Sequence, residues 1–368
     1  MNKKSEPVVF FAGGGTSGHI NPAIAIADKL RAGYPDARII FCGTERGLES
    51  DIVPRSGYVF ETIRASGFPR KLNRKLLNAL KDFHAGKKRA LTLIDTYRPD
   101  VVVGTGGYVC GPVLAAAKSA GVPILIHEQN AFPGQSNRVM SKGAEVVCIS
   151  FEQTRRYFKK ARKVVLTGNP VRAEFQRIGR RTARGQLGIA DDCRFLLATG
   201  GSRGARAINQ AVLSFMKLNP DLDARVLLVC GRDLYEETIS AAEGMESDRF
   251  EIREYLYDMP LYMAAADMLI CRAGAITCAE IAALGKAAIF VPYPYASDDH
   301  QTHNAKAYSD IGAGLLCPNN QLTGEWLTGQ VPPLLLDDKR RGEMERKAGS
   351  LAMPDAVDQI FKELEALF

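Results

Sequence analysis

Short apolar runs alternate along the chain with longer stretches in which apolar residues recur at helical spacing. That alternation predicts repeated β–α units built on parallel strands. In the first half the expected strands are 8–12, 38–42, 59–63, 101–104, 124–127, 146–149 and 164–167. Gly168-Asn169-Pro170 then breaks the pattern and reads as a hinge. The second half restarts with expected strands at 195–199, 226–230, 250–253, 268–271, 288–291 and 314–317. The last stretch, 354–368, has the spacing of an amphipathic helix. The repetition is one of architecture: two doubly wound α/β units.

Three glycine-rich turns stand on this frame: GGGTSGH at 13–19, GTGGYVCGP at 104–112 and GGSRGAR at 200–206. The first and third each follow an expected strand and precede a helical pattern. Such a turn brings backbone N–H groups close to phosphate, and the start of a helix adds partial positive charge. Two of them opening separate halves suggest a ligand held by two similar lobes. Residues 13–18 also satisfy G-x-G-x-x-G formally, the dinucleotide fingerprint. That fingerprint wants an acid roughly 20 positions on, and the nearest candidate, Glu45, lies further away and beyond a turn.

Composition adds bounds. With 368 residues, 46% hydrophobic and 24% charged, the chain suits two globular domains. No apolar run approaches the roughly 18 residues of a membrane span, and the opening MNKKSEPVVFF reads as a first buried strand rather than a leader. Eight cysteines without a C-x-x-C pair read as free thiols of a reducing compartment. The charge is local. Residues 64–90 hold nine Lys/Arg against one acid, Asp82, which alone exceeds the net charge of +7. Leu72, Leu76, Leu77, Leu80 and Phe83 lie among them. Two readings stand: a helix resting on an anionic bilayer, or one with its leucines in the core. No nucleic-acid motif accompanies the patch.

Individual residues carry candidate chemistry beside plainer roles. His19 sits at a helix start, where the helix field disfavours imidazolium. A neutral imidazole there suits a general base, or a structural ring bonding the loop. His127-Glu128-Gln129-Asn130 closes a strand and either faces a ligand or caps the next helix. Glu280, about one turn into a helix expected near Ala275, can accept from two ribose hydroxyls or offset a helix dipole. Asp298 to Asn304 contains two aspartates and two histidines, which read as a loop and helix cap rather than a metal site. Asp221-Leu222-Asp223 reads as a turn.

In order, GGGTSGHINPAIAIA, GTGGYVCGPVLAAA, HEQNAFPGQSNR, TGNPVR, GGSRGAR, RAGAITCAEIAALGKAAIFVPYP and DDHQTHNA resemble the MurG family, the undecaprenyldiphospho-muramoylpentapeptide N-acetylglucosaminyltransferases. The resemblance covers nearly the whole chain, with Ser17 and Arg203 as small departures. It implies a GT-B fold: two doubly wound Rossmann-like domains with an interdomain cleft. Residues 1–167 would face acceptor and membrane, 168–353 would bind the donor, and 354–368 would pack back on the first domain.

The implied reaction moves N-acetylglucosamine from UDP-N-acetylglucosamine to the C4 hydroxyl of the lipid-linked muramoyl-pentapeptide, with inversion and with no metal or cofactor. The resemblance implies His19 as base. It implies Thr16, Ser17, Gly18, Asn130, Arg172, Ser202, Leu256, Ala275, Ile276, Thr277, Cys278, Ala279, Glu280 and Gln301 at the donor, and Gly14, Gly15, Gly106, Gly107 and Tyr108 at the acceptor. It also implies peripheral attachment at the cytoplasmic face of the inner membrane through the basic segment, and cell-wall synthesis proteins as candidate partners. The alternatives are another UDP-sugar GT-B enzyme, such as a lipid glucosyltransferase or an epimerase, and a nicotinamide oxidoreductase.

Overall fold

The computed structural model describes residues 4–67, 74–245 and 247–368. The chain divides into two compact units: Met1–Pro170 with Met353–Phe368, and Val171–Ala352.

The first unit is a parallel sheet of β1 (Val8–Gly13), β2 (Arg38–Gly43), β3 (Val59–Thr62), β4 (Val101–Gly106), β5 (Ile124–Glu128), β6 (Val146–Ile149) and β7 (Val164–Leu166). Their spatial order is β3-β2-β1-β4-β5-β6-β7. The strands read as unbroken apolar runs because both faces are covered. Val8, Phe10 and Ala12 enter one core with Val102, Val113 and Leu114. Val9 and Phe11 enter the other with Ile20, Ile26 and Val103. The terminal helix Ala356–Glu365 adds Ile360 and Leu364 to that second core. It is tied there by Tyr34 Oη donating to Glu365 (2.8 Å) and Lys163 to Glu363 (2.6 Å).

The second unit is a parallel sheet of β8 (Phe195–Thr199), β9 (Arg225–Val229), β10 (Phe250–Arg253), β11 (Met268–Cys271), β12 (Ala287–Phe290) and β13 (Leu315–Leu316), in the order β10-β9-β8-β11-β12-β13. In each sheet three strands step outward, and the fourth returns to the far side of the first. Strand order therefore reverses between β1 and β4 and between β8 and β11. Ligands bind open α/β sheets at the carboxyl ends of strands flanking such a reversal.

The division between units falls after Pro170, slightly later than the sequence pattern suggests. Asn169 is the reason. Its Oδ1 accepts from Ser150 Oγ (2.8 Å), and its Nδ2 donates to Gln129 O (3.0 Å), which ties 168–170 to the first unit.

The described residues include part of the leucine-bearing basic segment. Arg70, Lys71 and Leu72 lie outside the described residues, and the helix runs Arg74–Tyr97. Its buried stripe is Ala79, Gly86, Ala90, Leu93 and Ile94, mostly small residues that allow close packing on the helix Cys110–Ala120. Leu77 and Leu80 instead remain 61% and 41% exposed, near Lys81. The leucines of this segment therefore do not all serve the core. Among the described residues no helix is long and apolar enough to cross a membrane.

Candidate active site

The reversal between β1 and β4 brings the first two glycine turns together. β1 runs into Gly13–Gly15 and the helix Ser17–Gly33, while β4 runs into Gly106–Tyr108 and the helix Cys110–Ala120. Backbone meets backbone here: Gly14 N–H donates to Gly106 O (3.3 Å). A Cβ on Gly107 would stand 2.2 Å from Gly14 O, and its φ of +85° is in the left-handed region, so both space and conformation require glycine. Cys110 Sγ clamps the two turns, accepting from Gly106 N–H (3.0 Å) and donating to Ala12 O (2.7 Å). All eight cysteines are free thiols. Burial pushes the Cys110 thiol up to about 12, so it serves here as a hydrogen-bonding group and not as a thiolate.

A buried carboxylate shapes the first turn. Glu49 accepts from Gly15 N–H (3.0 Å), Thr44 N–H (3.1 Å) and Thr44 Oγ1 (2.8 Å). Its carboxylate packs where side chains on Gly14 or Gly47 would otherwise lie, and its Cγ does so at Gly43. This is the acid that the first glycine turn engages. Glu45, the acid considered for a dinucleotide ribose, is exposed and outside that contact. A carboxylate already bound to loop amides holds the turn.

His19 lies in the first turn of the helix Ser17–Gly33, which no side chain caps. Thr105 Oγ1 donates to His19 O (2.8 Å), and the imidazole lies against Gly106, where a Cβ would come within 2.7 Å of Nδ1. The Nδ1 atom is 3.3 Å from Gln129 Oε1. Tyr108 packs over Gly15, its hydroxyl 3.5 Å from Thr44 Oγ1. Thr16, Ser17 and Gly18 form the turn and helix start, uncapped by any side chain.

At the end of β5, Glu128 is buried and organises Asn130. One oxygen accepts from Asn130 N–H (2.9 Å) and Nδ2 (3.2 Å), the other from Gly134 N–H (3.0 Å) and Asn137 Nδ2 (2.9 Å). Asn130 O also accepts from Thr154 Oγ1 (3.1 Å).

In the second unit the reversal falls between β8 and β11, which pair directly. β8 leads into the turn carrying Ser202, which is exposed. The turn's two arginines are paired with acids, Arg203 with Asp233 and Arg206 with Glu237, both at 2.8 Å. β11 leads through Arg272 to the helix Ala275–Leu284, which has Gly274 at its N-cap and no side-chain cap. The N–H groups of the first turn, at Ala275, Ile276 and Thr277, form an anion-favouring end. Arg272 donates to Val291 O, Pro292 O and Asn319 Oδ1, and Asn304 Nδ2 to Ala273 O, so the approach to this helix is fixed from two sides.

On the same helix Cys278 is buried, while Ala279 and Glu280 are half-buried. Desolvation raises the Glu280 carboxyl to about 7, opposed by the charge of Arg172. Gln301 Oε1 accepts from Tyr293 N–H (2.9 Å), and Leu256 is buried in the loop after β10. Asp298 and Asp299 both have positive φ, and Thr302 Oγ1 donates to Asp299 (2.7 Å) as the helix His300–Ser309 begins. Among the described residues no group of three or more His, Cys, Asp and Glu is arranged to hold a metal ion.

The fold thus brings His19 together with Gly14, Gly15, Gly106, Gly107 and Tyr108 in one unit. In the other, the helix residues Ala275 to Glu280 share one element. Glu49 is a supporting residue outside every motif, while Thr105, Cys110 and Gln129 lie inside motifs quoted above that gave them no supporting role of their own. Glu49 stands in a polar stretch with Glu45, Arg46 and Asp51, so nothing local distinguishes it from its neighbours.

Residues 9–149 match the glycosyltransferase family 28 N-terminal domain, and residues 195–360 match the glycosyltransferase family 28 C-terminal domain. A UDP-N-acetylglucosamine–N-acetylmuramyl-(pentapeptide) pyrophosphoryl-undecaprenol N-acetylglucosamine transferase from Acetivibrio thermocellus is 42% identical over 355 residues, 96% of each chain. The crystal structure of Acinetobacter baumannii MurG is 33% identical with a TM-score of 0.81, covering 98% of this chain and 99% of that one. A UDP-GlcNAc 2-epimerase from Neisseria meningitidis, solved with UDP-GlcNAc, is 12% identical with a TM-score of 0.68 over 98% of this chain and 99% of that one. At that identity it shares the fold alone.

Proposed function

We infer the activity from kinship: the chain belongs to the MurG family, the UDP-N-acetylglucosamine–N-acetylmuramyl-(pentapeptide) pyrophosphoryl-undecaprenol N-acetylglucosamine transferases. It has the GT-B fold with two Rossmann-like domains. It transfers N-acetylglucosamine from UDP-N-acetylglucosamine to the muramoyl-pentapeptide carried on undecaprenyl diphosphate. One observation carries this reading: the likeness is nearly full length and runs through both units, so neither substrate's half of the machinery is missing.

The finer mechanism is our reading of the residues. The C4 hydroxyl of the acceptor attacks C1 of the donor sugar opposite UDP, and the configuration inverts. His19 takes the hydroxyl proton. Charge grows on the departing diphosphate, and amides around Ser202, the helix start at Ala275 and the guanidinium of Arg172 stabilise it. Glu280 accepts from the ribose hydroxyls, and the backbone at Leu256 meets uracil. Asn130, Thr16, Gly18, Ala275 and Gln301 contact the N-acetylglucosamine. The two glycine turns of the first unit receive the acceptor diphosphate.

The test is to incubate the chain with UDP-N-acetylglucosamine and a short-chain muramoyl-pentapeptide lipid, then weigh the product. The expected product gains one N-acetylhexosamine and a β-1,4 bond, equally fast in a single turnover with a chelator present. Epimerised UDP-sugar without a lipid product, or a strict Mg²⁺ requirement, would contradict the reading.

Membrane attachment is part of the same proposal. The exposed Leu77 and Leu80 with Lys81 and Lys88 on the helix Arg74–Tyr97 support it. Each basic residue near an anionic surface contributes about 1 kcal/mol, roughly fivefold in partitioning. The pair Lys81→Ala and Lys88→Ala should therefore weaken binding to phosphatidylglycerol vesicles by about 25-fold, with turnover on a soluble acceptor retained. Undiminished, salt-sensitive vesicle binding would assign attachment to another surface.

A further inference from the structure

We propose that Gln129 and His127 are positioning residues that hold the His19 imidazole in one tautomer, with the proton on Nδ1 and the lone pair on Nε2. This rests on the reading of His19 as the base and states how the base is prepared.

The assignment follows from acceptors and donors taken in turn. His127 is buried, and its Nε2 lies 3.0 Å from Gly168 O. A carbonyl oxygen only accepts, so Nε2 carries the proton. Burial lowers the His127 pKa to about 4, so the ring is neutral at pH 7 and its Nδ1 is an acceptor. The Gln129 side-chain atom facing that Nδ1 at 3.0 Å must donate, and the same atom lies 3.1 Å from His127 O, again an acceptor. Both contacts require the amide nitrogen. The other end of the amide, facing His19 Nδ1 at 3.3 Å, is therefore the oxygen. An oxygen there accepts only from an Nδ1–H.

The anchor is firm. Ser150 Oγ donates to Asn169 Oδ1 (2.8 Å) and Asn169 Nδ2 to Gln129 O (3.0 Å), which holds the Gln129 main chain in place. The His19 ring rests on the bare backbone of Gly106, and its main chain is held by Thr105. A neutral imidazole in water populates both tautomers, and only the one with a lone pair on Nε2 presents a base on that side of the ring. When the acceptor C4 oxygen bonds to C1, the C1–oxygen bond to UDP breaks with its electron pair on the diphosphate. The hydroxyl proton then goes to Nε2, while Nδ1–H stays on Gln129. A carboxylate in place of the amide would also orient the ring. It would, however, favour imidazolium and leave less free base at neutral pH. The amide sets the tautomer without that charge.

The test uses the full chain with ¹⁵N-labelled imidazoles. The His19 signals are identified by their loss in His19→Gln. Wild-type His19 should show a protonated Nδ1 and an unprotonated Nε2. Gln129→Leu should mix the tautomers and lower kcat by about 10- to 100-fold, as loss of an orienting partner does, with both KM values nearly unchanged. Gln129→Glu should keep the tautomer and move the acid limb of the kcat–pH profile upward, because a nearby negative charge raises the imidazole pKa. The other titratable groups around this corner (His127, Glu128, Glu49, Tyr108 and Cys110) are the same in each variant. An Nε2–H tautomer in the wild type would overturn the proposal. So would a Gln129→Leu protein with unchanged tautomer and kcat. Full turnover in His19→Ala would instead defeat the reading of His19 as base, while the spectra would still report whether Gln129 sets the ring.

Discussion

Replacing His19 by alanine should lower kcat by about 10²- to 10⁴-fold, the usual worth of a positioned general base, with KM for UDP-N-acetylglucosamine nearly unchanged. The expectation follows from where the ring sits. It lies at the reversal between β1 and β4, against Gly106, with its main chain held by Thr105 and its Nδ1 by Gln129. None of these contacts belongs to the helix Ala275–Leu284, where we propose the donor binds, so the loss should fall on the chemical step and not on donor affinity. Steady-state kinetics on both substrates check it. Near-normal turnover would remove His19 from the chemistry. A large rise in donor KM alone would make it a binding residue.

The second large effect belongs to Glu280. Hydrogen bonds to a charged group contribute about 1.5–3 kcal/mol each, so Glu280→Ala should raise KM for the UDP-sugar by about 100-fold or more. The carboxyl also gives a pH signature. Its folded pKa, raised by burial to about 7, lies above the ordinary 4.5. A raised acid binds its proton more tightly in the folded state. The stability it contributes is complete below about 4.5 and is lost as pH rises through about 7. Above pH 7 the unliganded protein therefore carries an unfavourable carboxylate. Glu280→Gln should melt higher than wild type at pH 8, with the gap closing at pH 5, while its donor KM rises. Donor binding to the wild type should tighten as pH climbs through 7, because the ionised form accepts from both ribose hydroxyls in stronger, charge-assisted bonds. An unchanged KM in both variants would discard the ribose role.

Much of the fold was legible because parallel strands covered on both faces are unbroken apolar runs. Phe10, Phe11, Val102 and Val103 announce buried strands whichever face they take. Even two-residue β13 was expected, at 314–317, from its apolar run. The glycine turns were legible for a related reason. Only glycine survives where Gly107 meets the Gly14 backbone, so the motif is the imprint of a close approach. Strand order was not legible, since no local pattern says that β4 returns beside β1.

The supporting residues were hidden for the same reason. Glu49 follows β2 in sequence yet grips the turn after β1. Gln129 lies 110 positions from the ring it orients. For the basic helix the sequence left two readings open. Tight packing on the neighbouring helix selects Ala79, Gly86 and Ala90 for the buried face, and Leu77 and Leu80 stay exposed, which no local pattern decides.

The most direct test of the whole account is a crystal structure of the chain with UDP and an unreactive acceptor analogue. The account predicts ribose hydroxyls on the Glu280 carboxylate, diphosphate oxygens on the amides that begin the Ala275–Leu284 helix, and the acceptor's C4 oxygen within hydrogen-bond reach of His19 Nε2. Uridine bound away from Glu280, with the acceptor oxygen met by some other side chain, would contradict it.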